Sequence, residues 1–270
     1  MDEDNRTFLY SSFISYKNYR QMSSSEIEKN EKDYHNLDFI AKNIIKLYCA
    51  FSNVTDFSKV TEKFKYDYIE GESEIERNET REEKAGIGVI YDYICQFDPQ
   101  KDKFNIFVEA MKIHSMLYSE CVGKEFGGKI RTEQALLFDT DIEVMPPEEA
   151  TKRFNAYILT SDSIMKELDQ KNVFEYIEGC LKIVVDLITI QPFSDGNKRT
   201  FRSLFNIMMK RKNLPPIYIG NNSKEYSDSL IKAMRTGDYS DLTKLYTRLL
   251  CDSIVLLGLE EYEIENNKTK

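Results

Sequence analysis

Basic residues are in short supply. Thirty-seven Lys and Arg face 46 Asp and Glu, a net charge of −9 at neutral pH. A duplex DNA binder covers phosphates with a basic surface, so this balance argues against nucleic acid as a partner. A local basic pocket remains compatible with it, because a cleft can carry one sign of charge inside a protein of the other. Cysteine is sparse and scattered: Cys49, Cys95, Cys121, Cys180 and Cys251 are odd in number and lack CxxC spacing. Neither a zinc site nor a disulfide framework is suggested, and a reducing cytoplasm is the expected home. No apolar run approaches membrane-spanning length, and the acidic start Met1-Asp2-Glu3-Asp4-Asn5 has no apolar signal core. A secretion route that ignores such signals would escape this test. Internal repeats, low-complexity tracts and a Walker A loop are also missing, and the only histidines are His35 and His114.

Hydrophobic residues make up 41% of the 270 and aromatics 12%, enough for a substantial core in one domain or in a domain with an attached lobe. Leu37, Ile40, Ala41, Ile44, Ile45, Leu47 and Tyr48 recur at helical spacing. Apolar positions resume at residues 86–94 after a strongly charged stretch, 70–83, which reads as a solvated linker apart from Ile75. Residues 105–118 form a further amphipathic segment, ended by a turn at Gly127-Gly128. The short apolar run at 132–138 beside Asp139-Thr140-Asp141 is the best strand or hairpin candidate. Pro146-Pro147 opens another helix, since proline suits a first helical turn. Helices are predicted over 174–190 and 199–211, a turn at Pro215-Pro216, and apolar-periodic stretches over 226–234 and 242–259. The expected fold is mainly α with one small hairpin. Ile254, Val255, Leu256 and Leu257 need a core or a second copy of the chain to cover them.

The segment that carries chemistry lies between the two strongest helices: Gln191-Pro192-Phe193-Ser194-Asp195-Gly196-Asn197-Lys198-Arg199-Thr200-Phe201-Arg202. A glycine loop running into a helix N-terminus presents backbone N–H groups at the positive end of the helix dipole, which suits anions. Arg199 and Arg202, three residues apart, occupy one helical face and can grip different phosphates of one nucleotide. Asp195 is a hard oxygen ligand of the kind that holds phosphate-bridged Mg²⁺. The bland alternative is a glycine turn with surface charges around it.

The whole segment resembles the signature of the Fic family, His-Pro-Phe-x-Asp/Glu-Gly-Asn-Gly-Arg-x-x-Arg, matched at Pro192, Phe193, Asp195, Gly196, Asn197, Arg199 and Arg202. It departs at Gln191 and Lys198. Residues 128–134, with Arg131, Thr132 and Gln134, resemble the start of the family's target-docking flap, a β-hairpin that receives a target segment by strand-like pairing. Pro146-Pro147 is similar to the diproline after that flap, residues 214–219 to the stretch after the signature helix, and Tyr226 with Gly237-Asp238 to elements lining the nucleotide base. The likeness spans residues 72–250. It implies a Fic-type helical bundle, with an N-terminal helical region over 1–95, the Fic domain over 96–250 and a helix end with a polar tail over 251–270. It also implies ATP as substrate held by Gly196, Lys198, Arg199, Arg202 and Tyr226, Mg²⁺ at Asp195, and a target protein presenting a hydroxyl side chain.

Upstream, Ser73-Glu74-Ile75-Glu76-Arg77-Asn78 resembles the family's inhibitory helix, over residues 72–78, with Glu72 in place of its leading Ser/Thr and Arg77 in place of its glycine. By that likeness Glu76 is the inhibitory glutamate and Arg202 its partner, with a solvated helical charge as the plain alternative. The family's histidine takes the proton of the target Tyr, Thr or Ser hydroxyl as it attacks the α-phosphorus of ATP. Gln191 stands there instead, and an amide has no basic nitrogen near neutral pH. Either the chain natively lacks the base and only binds, or the base has been substituted. Asn197 and Arg199 retain the remaining catalytic positions. Three activities stay open: an adenylyltransferase restrained by Glu76 and weakened at Gln191, a non-catalytic ATP-binding regulatory module, and a Doc-like protein phosphotransferase suggested by the Asn197-Lys198-Arg199 order. Retention of Arg202 favours AMP transfer over the last. His114, within an amphipathic helix, is expected to be structural.

Overall fold

A computed structural model of the chain describes residues 3–21, 37–50, 62–75, 80–122, 124–135, 137 and 142–268. The described residues carry ten α-helices, two short 3-10 turns and no strand. In chain order the helices are α1 (Glu3–Arg20), α2 (Leu37–Ala50), α3 (Glu62–Ser73), α4 (Arg81–Gln96), α5 (Ile106–Leu117), α6 (Pro147–Leu168), α7 (Val173–Ile190), α8 (Asn197–Arg211), α9 (Ser223–Thr236) and α10 (Ser240–Lys268). No described helix is long and apolar enough to cross a membrane. All five cysteines are unbridged.

The chain divides into two compact units, Met1–Val60 with Tyr246–Lys270, and Thr61–Leu245. In the first, α1 packs on α2. Tyr16 donates its hydroxyl to Asp252 at 2.9 Å, and Arg20 pairs with the same carboxylate at 2.9 Å. Ile254, Val255 and Leu257 are buried, so these residues of the final helix lie in a core within the chain.

The second unit is built around α7 and α8. Ile177, Leu181, Val184, Leu187 and Ile188 follow helical spacing and are almost wholly buried, as the amphipathic pattern predicts. A capping box at Asn172 and Glu175 starts α7. Against it packs α8, and Tyr176 donates to the Met208 carbonyl at 2.7 Å across that contact. α8 also packs on α4 and α5, which pack on each other, while α3 lies against α4 and α6 against both α5 and α7. Asn206 of α8 grips the backbone of Ile217 from both sides, giving a hydrogen bond to its carbonyl and taking one from its N–H, each 2.9 Å. That clamp holds the segment after α8 beside α3.

Helix α5 starts and stops where the sequence says: Asn105 caps the amides of Phe107 and Val108, and Tyr118 closes the end. Pro147 opens α6. Residues 62–73 form α3, inside the N-terminal region expected to be helical; its buried side chains are Phe64, Tyr68, Glu72 and Ser73, and a pattern mixing rings with a carboxylate gives weak apolar periodicity. The described residues of the charged stretch after residue 70 are not a solvated linker, because Glu72 is 4% exposed and Thr80 and Glu83 form the capping box that starts α4. The expected hairpin over 132–138 shows no strand among its described residues. There the Glu133 carbonyl accepts from Arg131 at 2.8 Å, and Gln134 gives its amide N–H to the Val144 carbonyl at 2.7 Å.

Candidate functional site

Helix α7 ends at Gln191 in the left-handed conformation (φ 48°, ψ 62°), its N–H bonded to the Leu187 carbonyl at 3.1 Å. A non-glycine residue there is held by its surroundings. The Gln191 amide donates through Nε2 to Ile188 O at 2.7 Å and accepts through Oε1 from Asn197 Nδ2 at 2.9 Å. Asn197 also takes the Phe193 N–H on Oδ1 at 3.0 Å and gives Nδ2 to the Phe193 carbonyl at 2.8 Å. These two buried amides knit the end of α7 to the start of α8 and shape the loop between them.

Gly196 stands before α8 at φ 71°, ψ 6°. A Cβ on it would meet Leu117 Cδ2 and the Tyr118 hydroxyl at 2.8 Å each, so only glycine fits both the conformation and the space. No side-chain oxygen caps α8. Its first-turn amides lie at the positive end of a fifteen-residue helix, a position that suits an anion. Asp195 beside them has a carboxylate 78% exposed, one oxygen accepting from Gly196 N at 2.6 Å.

Both arginines sit behind this N-terminus, and both meet carboxylates. Arg202 is paired through Nε with Glu72 Oε2 at 2.6 Å, the two side chains 2% and 5% exposed. The other Glu72 oxygen accepts from the Ile219 N–H at 3.1 Å. Tyr226 lies with its ring 5.6 Å from the Arg202 guanidinium. Arg199 reaches Glu83 Oε1 at 2.8 Å, the Tyr118 hydroxyl at 3.4 Å and Asp195 Oδ2 at 3.5 Å. Burial disfavours the Arg199 charge, but Tyr118, Glu83 and Asp195 together hold its pKa above the usual guanidinium range. Burial likewise pushes the Glu83 carboxyl upward, yet the Thr80 backbone N–H and Arg199 bring its pKa below the ordinary value.

Residues 107–209, which include this loop and the helices flanking it, match the model of the Fic/DOC family. Those residues form a Fic/DOC domain. The curated Protein adenylyltransferase Fic of Nematostella vectensis is 28% identical over 152 residues, 56% of this chain and 33% of that protein, so the chain spans about a third of that relative's length. In fold it is similar to Fic-1 from C. elegans, at TM-score 0.64 and 18% identity over 91% of this chain and 80% of the other. It is also similar to a Fic domain containing signaling protein from Bacteroides thetaiotaomicron, at TM-score 0.55 and 16% identity, over 94% and 96% of the two chains.

Within the Fic/DOC domain the segment read as a flap is rooted on the same loop. Arg131, 3% exposed, donates to the carbonyls of Gln191 at 2.5 Å, Glu133 at 2.8 Å and Met145 at 2.5 Å, while its own N–H bonds Pro192 O at 2.9 Å. Burial lowers the Arg131 pKa, and its carbonyl partners carry no full charge. Arg131 is therefore a structural pin, whereas Thr132 and Gln134 are exposed. The structure thus brings together Gln191, Asp195, Gly196, Asn197, Arg199, Arg202, Arg131 and Tyr226. Lys198 is half-buried beside them. Glu76, Arg77, His35 and residues 138–141 lie outside the described residues. Among the described residues Glu72 is an acid on Arg202; the expected pairing of Glu76 with Arg202 lies outside them.

Sequence reasoning did not assign Glu72 or Glu83 a partner. The Thr80-x-x-Glu83 spacing could have marked the capping box, but nothing local signals that its glutamate also reaches Arg199, 116 residues away. His114, expected to be structural, is buried, and its position is informative: it stacks on Phe193 at 3.9 Å between ring centroids. No group of three or more metal-binding side chains occurs among the described residues.

Proposed function

We propose that this domain binds ATP at the N-terminus of α8 and positions it for transfer of AMP to a hydroxyl of a protein, with Gln191 withholding one chemical step. The observation that carries this reading is an uncapped helix N-terminus backed by two buried arginines one turn apart, in a Fic/DOC domain similar to a protein named an adenylyltransferase. The α8 amides and Arg199 would take phosphate oxygens, and Arg202 a second phosphate. Asp195 fits a magnesium ion in the one way a lone carboxylate can: it is exposed at the anion site, leaving the other ligands to water and phosphate. Such an ion would neutralise triphosphate charge. A reducing cytoplasm, where ATP is plentiful, is the matching setting.

In the resting chain the grip is occupied from within. Glu72 on Arg202 and Glu83 on Arg199 stand where phosphate oxygens would go, and a bidentate phosphate contact requires at least one of them to leave. We assign a restraining role to Glu72. The inhibitory glutamate expected from the sequence, Glu76, lies outside the described residues and can share that role. Gln191 cannot store a proton, so attack of the target hydroxyl on the α-phosphorus, with pyrophosphate leaving, must release that proton to solvent or to a phosphate oxygen.

A second reading is a nucleotide-binding module without transfer. The commitment of both ends of the Gln191 amide favours it, since a side chain used to staple α7 to α8 has little left to orient an acceptor. One experiment separates the two. Label from α-³²P ATP is measured on the full chain and on Glu72→Ala with Gln191→His combined, alongside calorimetry with Mg-ATP. Transfer in the double variant supports the first reading; binding without transfer supports the module; no binding by either protein removes both.

A further inference from the structure

Besides Arg131, a second side chain joins the two halves of the site, the loop before α8 and the root of the flap. His114 on α5 is 2% exposed. Its Nδ1 lies 2.8 Å from the Gly128 N–H, and its Nε2 lies 3.0 Å from the Asp195 carbonyl oxygen. An amide N–H can only donate, so Nδ1 accepts; a carbonyl can only accept, so Nε2 carries the proton. The two backbone partners fix one neutral tautomer without reference to any other group. The ring lies parallel to Phe193, with 9° between planes, which sets its rotation. Tyr118 closes the other side, ring centroids 5.1 Å apart.

We propose that His114 is a positioning residue that sets the distance between the flap, where a target segment would lie, and the phosphate loop, where the nucleotide would lie. It touches neither substrate. An imidazole is rigid, and with one hydrogen bond at each nitrogen and a ring stacked on the loop's own Phe193, displacement of Asp195-Gly196 is carried to Gly128 with little slack. Gly128 is itself at φ 71°, and a Cβ there would lie 3.1 Å from the Met111 carbonyl, so the flap root has one well-defined seat on α5. Orientation of two substrates is worth much in rate, and a misplacement of about 1 Å costs on the order of 10²-fold. The inference rests on the nucleotide-binding reading of the α8 N-terminus.

Two substitutions isolate the strut. His114→Phe keeps a ring on Phe193 but gives Gly128 no acceptor and Asp195 no donor. His114→Gln keeps a donor and an acceptor without the ring. In the Glu72→Ala, Gln191→His background, the maximal rate of self-labelling from α-³²P ATP is expected to fall about tenfold or more with Phe, while half-saturating ATP moves less than about threefold; Gln recovers part of the rate. Amide exchange at Gly128 is read in the same proteins with and without Mg-ATP. It is expected to be faster in the Phe variant, with the ATP-induced change seen at Gly128 in the parent lost. If Phe unfolds the chain, His114→Asn, too short to span both partners, takes its place. Unchanged exchange and rate in a folded variant overturns the proposal, as does an equal loss in rate and ATP affinity. If the background does not label itself, transfer fails as a function, and the Gly128 exchange response to Mg-ATP still decides the strut. If Mg-ATP does not bind even the background, both readings fall together, whereas binding with no exchange change at Gly128 sinks only the strut.

Discussion

Gln191 and Glu72 hold the two decisive side-chain positions in the site, and each makes a quantitative demand. Restoring an imidazole at 191 supplies a base, and general-base catalysis contributes typically about 10² to 10⁴-fold. We therefore expect Gln191→His to raise incorporation of α-³²P label within that range once Arg202 is released, measured as initial rate against the same chain with Gln191. The histidine must keep the left-handed backbone at φ 48° and must do without the Asn197 Nδ2 to Gln191 Oε1 bond. Glu72 has the opposite balance of effects. Removing one member of a buried ion pair costs about 3–5 kcal/mol, because the remaining charge stays desolvated. Glu72→Ala should melt well below the parent by calorimetric scan, yet gain more stability than the parent from Mg-ATP, since phosphate can then take the place of the Glu72 carboxylate on Arg202. An equal gain in both proteins would show that Glu72 does not compete with nucleotide.

At the scale of helices, much of the site was legible. Asn105 and Tyr118 bracket α5, Pro147 starts α6, and the apolar rhythm of 174–190 gives α7 almost to the residue, because caps and core faces are written locally. The proposed phosphate grip was legible as a pattern for the same reason: Gly196, Arg199 and Arg202 are neighbours in one helix and its cap. What faces it was not. Glu72 comes from α3, 130 residues before Arg202, and reaches it because Gly71 lets α3 approach the segment after α8 so closely that a Cβ there would lie 2.5 Å from Tyr218 Cδ2. A contact made through the packing of α3, α4 and α8 has no local spacing to announce it. The hairpin was expected from a short apolar run beside turn residues; the described residues of 131–145 show no strand, and Arg131 and Gln134 hold carbonyls of Glu133, Val144 and Met145. The α4 cap offers a test at this scale. Thr80→Ala removes the cap hydroxyl, which should cost about 1 kcal/mol in urea unfolding. It should also loosen Glu83, seen as a higher affinity for Mg-ATP.

Across the whole molecule, acidity and burial set how stability follows pH. His114 is pushed down to about 4, chiefly by burial, from an ordinary value of 6.5. Between those values the unfolded chain binds the extra proton and the folded chain does not, so stability rises with pH through that window. The contribution is complete above about pH 6.5 and lost as pH falls towards 4, on the order of 3 kcal/mol in all. Glu83, held below its ordinary value, adds a loss of the same sign at lower pH. Denaturant midpoints measured from pH 7.5 to 4 should fall steadily, and His114→Gln should flatten the upper part of that slope. The paired arginines have a consequence in time. A ligand that needs Arg202 cannot reach it by diffusion alone, because the Glu72 contact must open first. When ATP is mixed rapidly with the chain, the observed association rate should therefore climb with concentration and then level off at the opening rate of that pair. In Glu72→Ala the plateau should disappear.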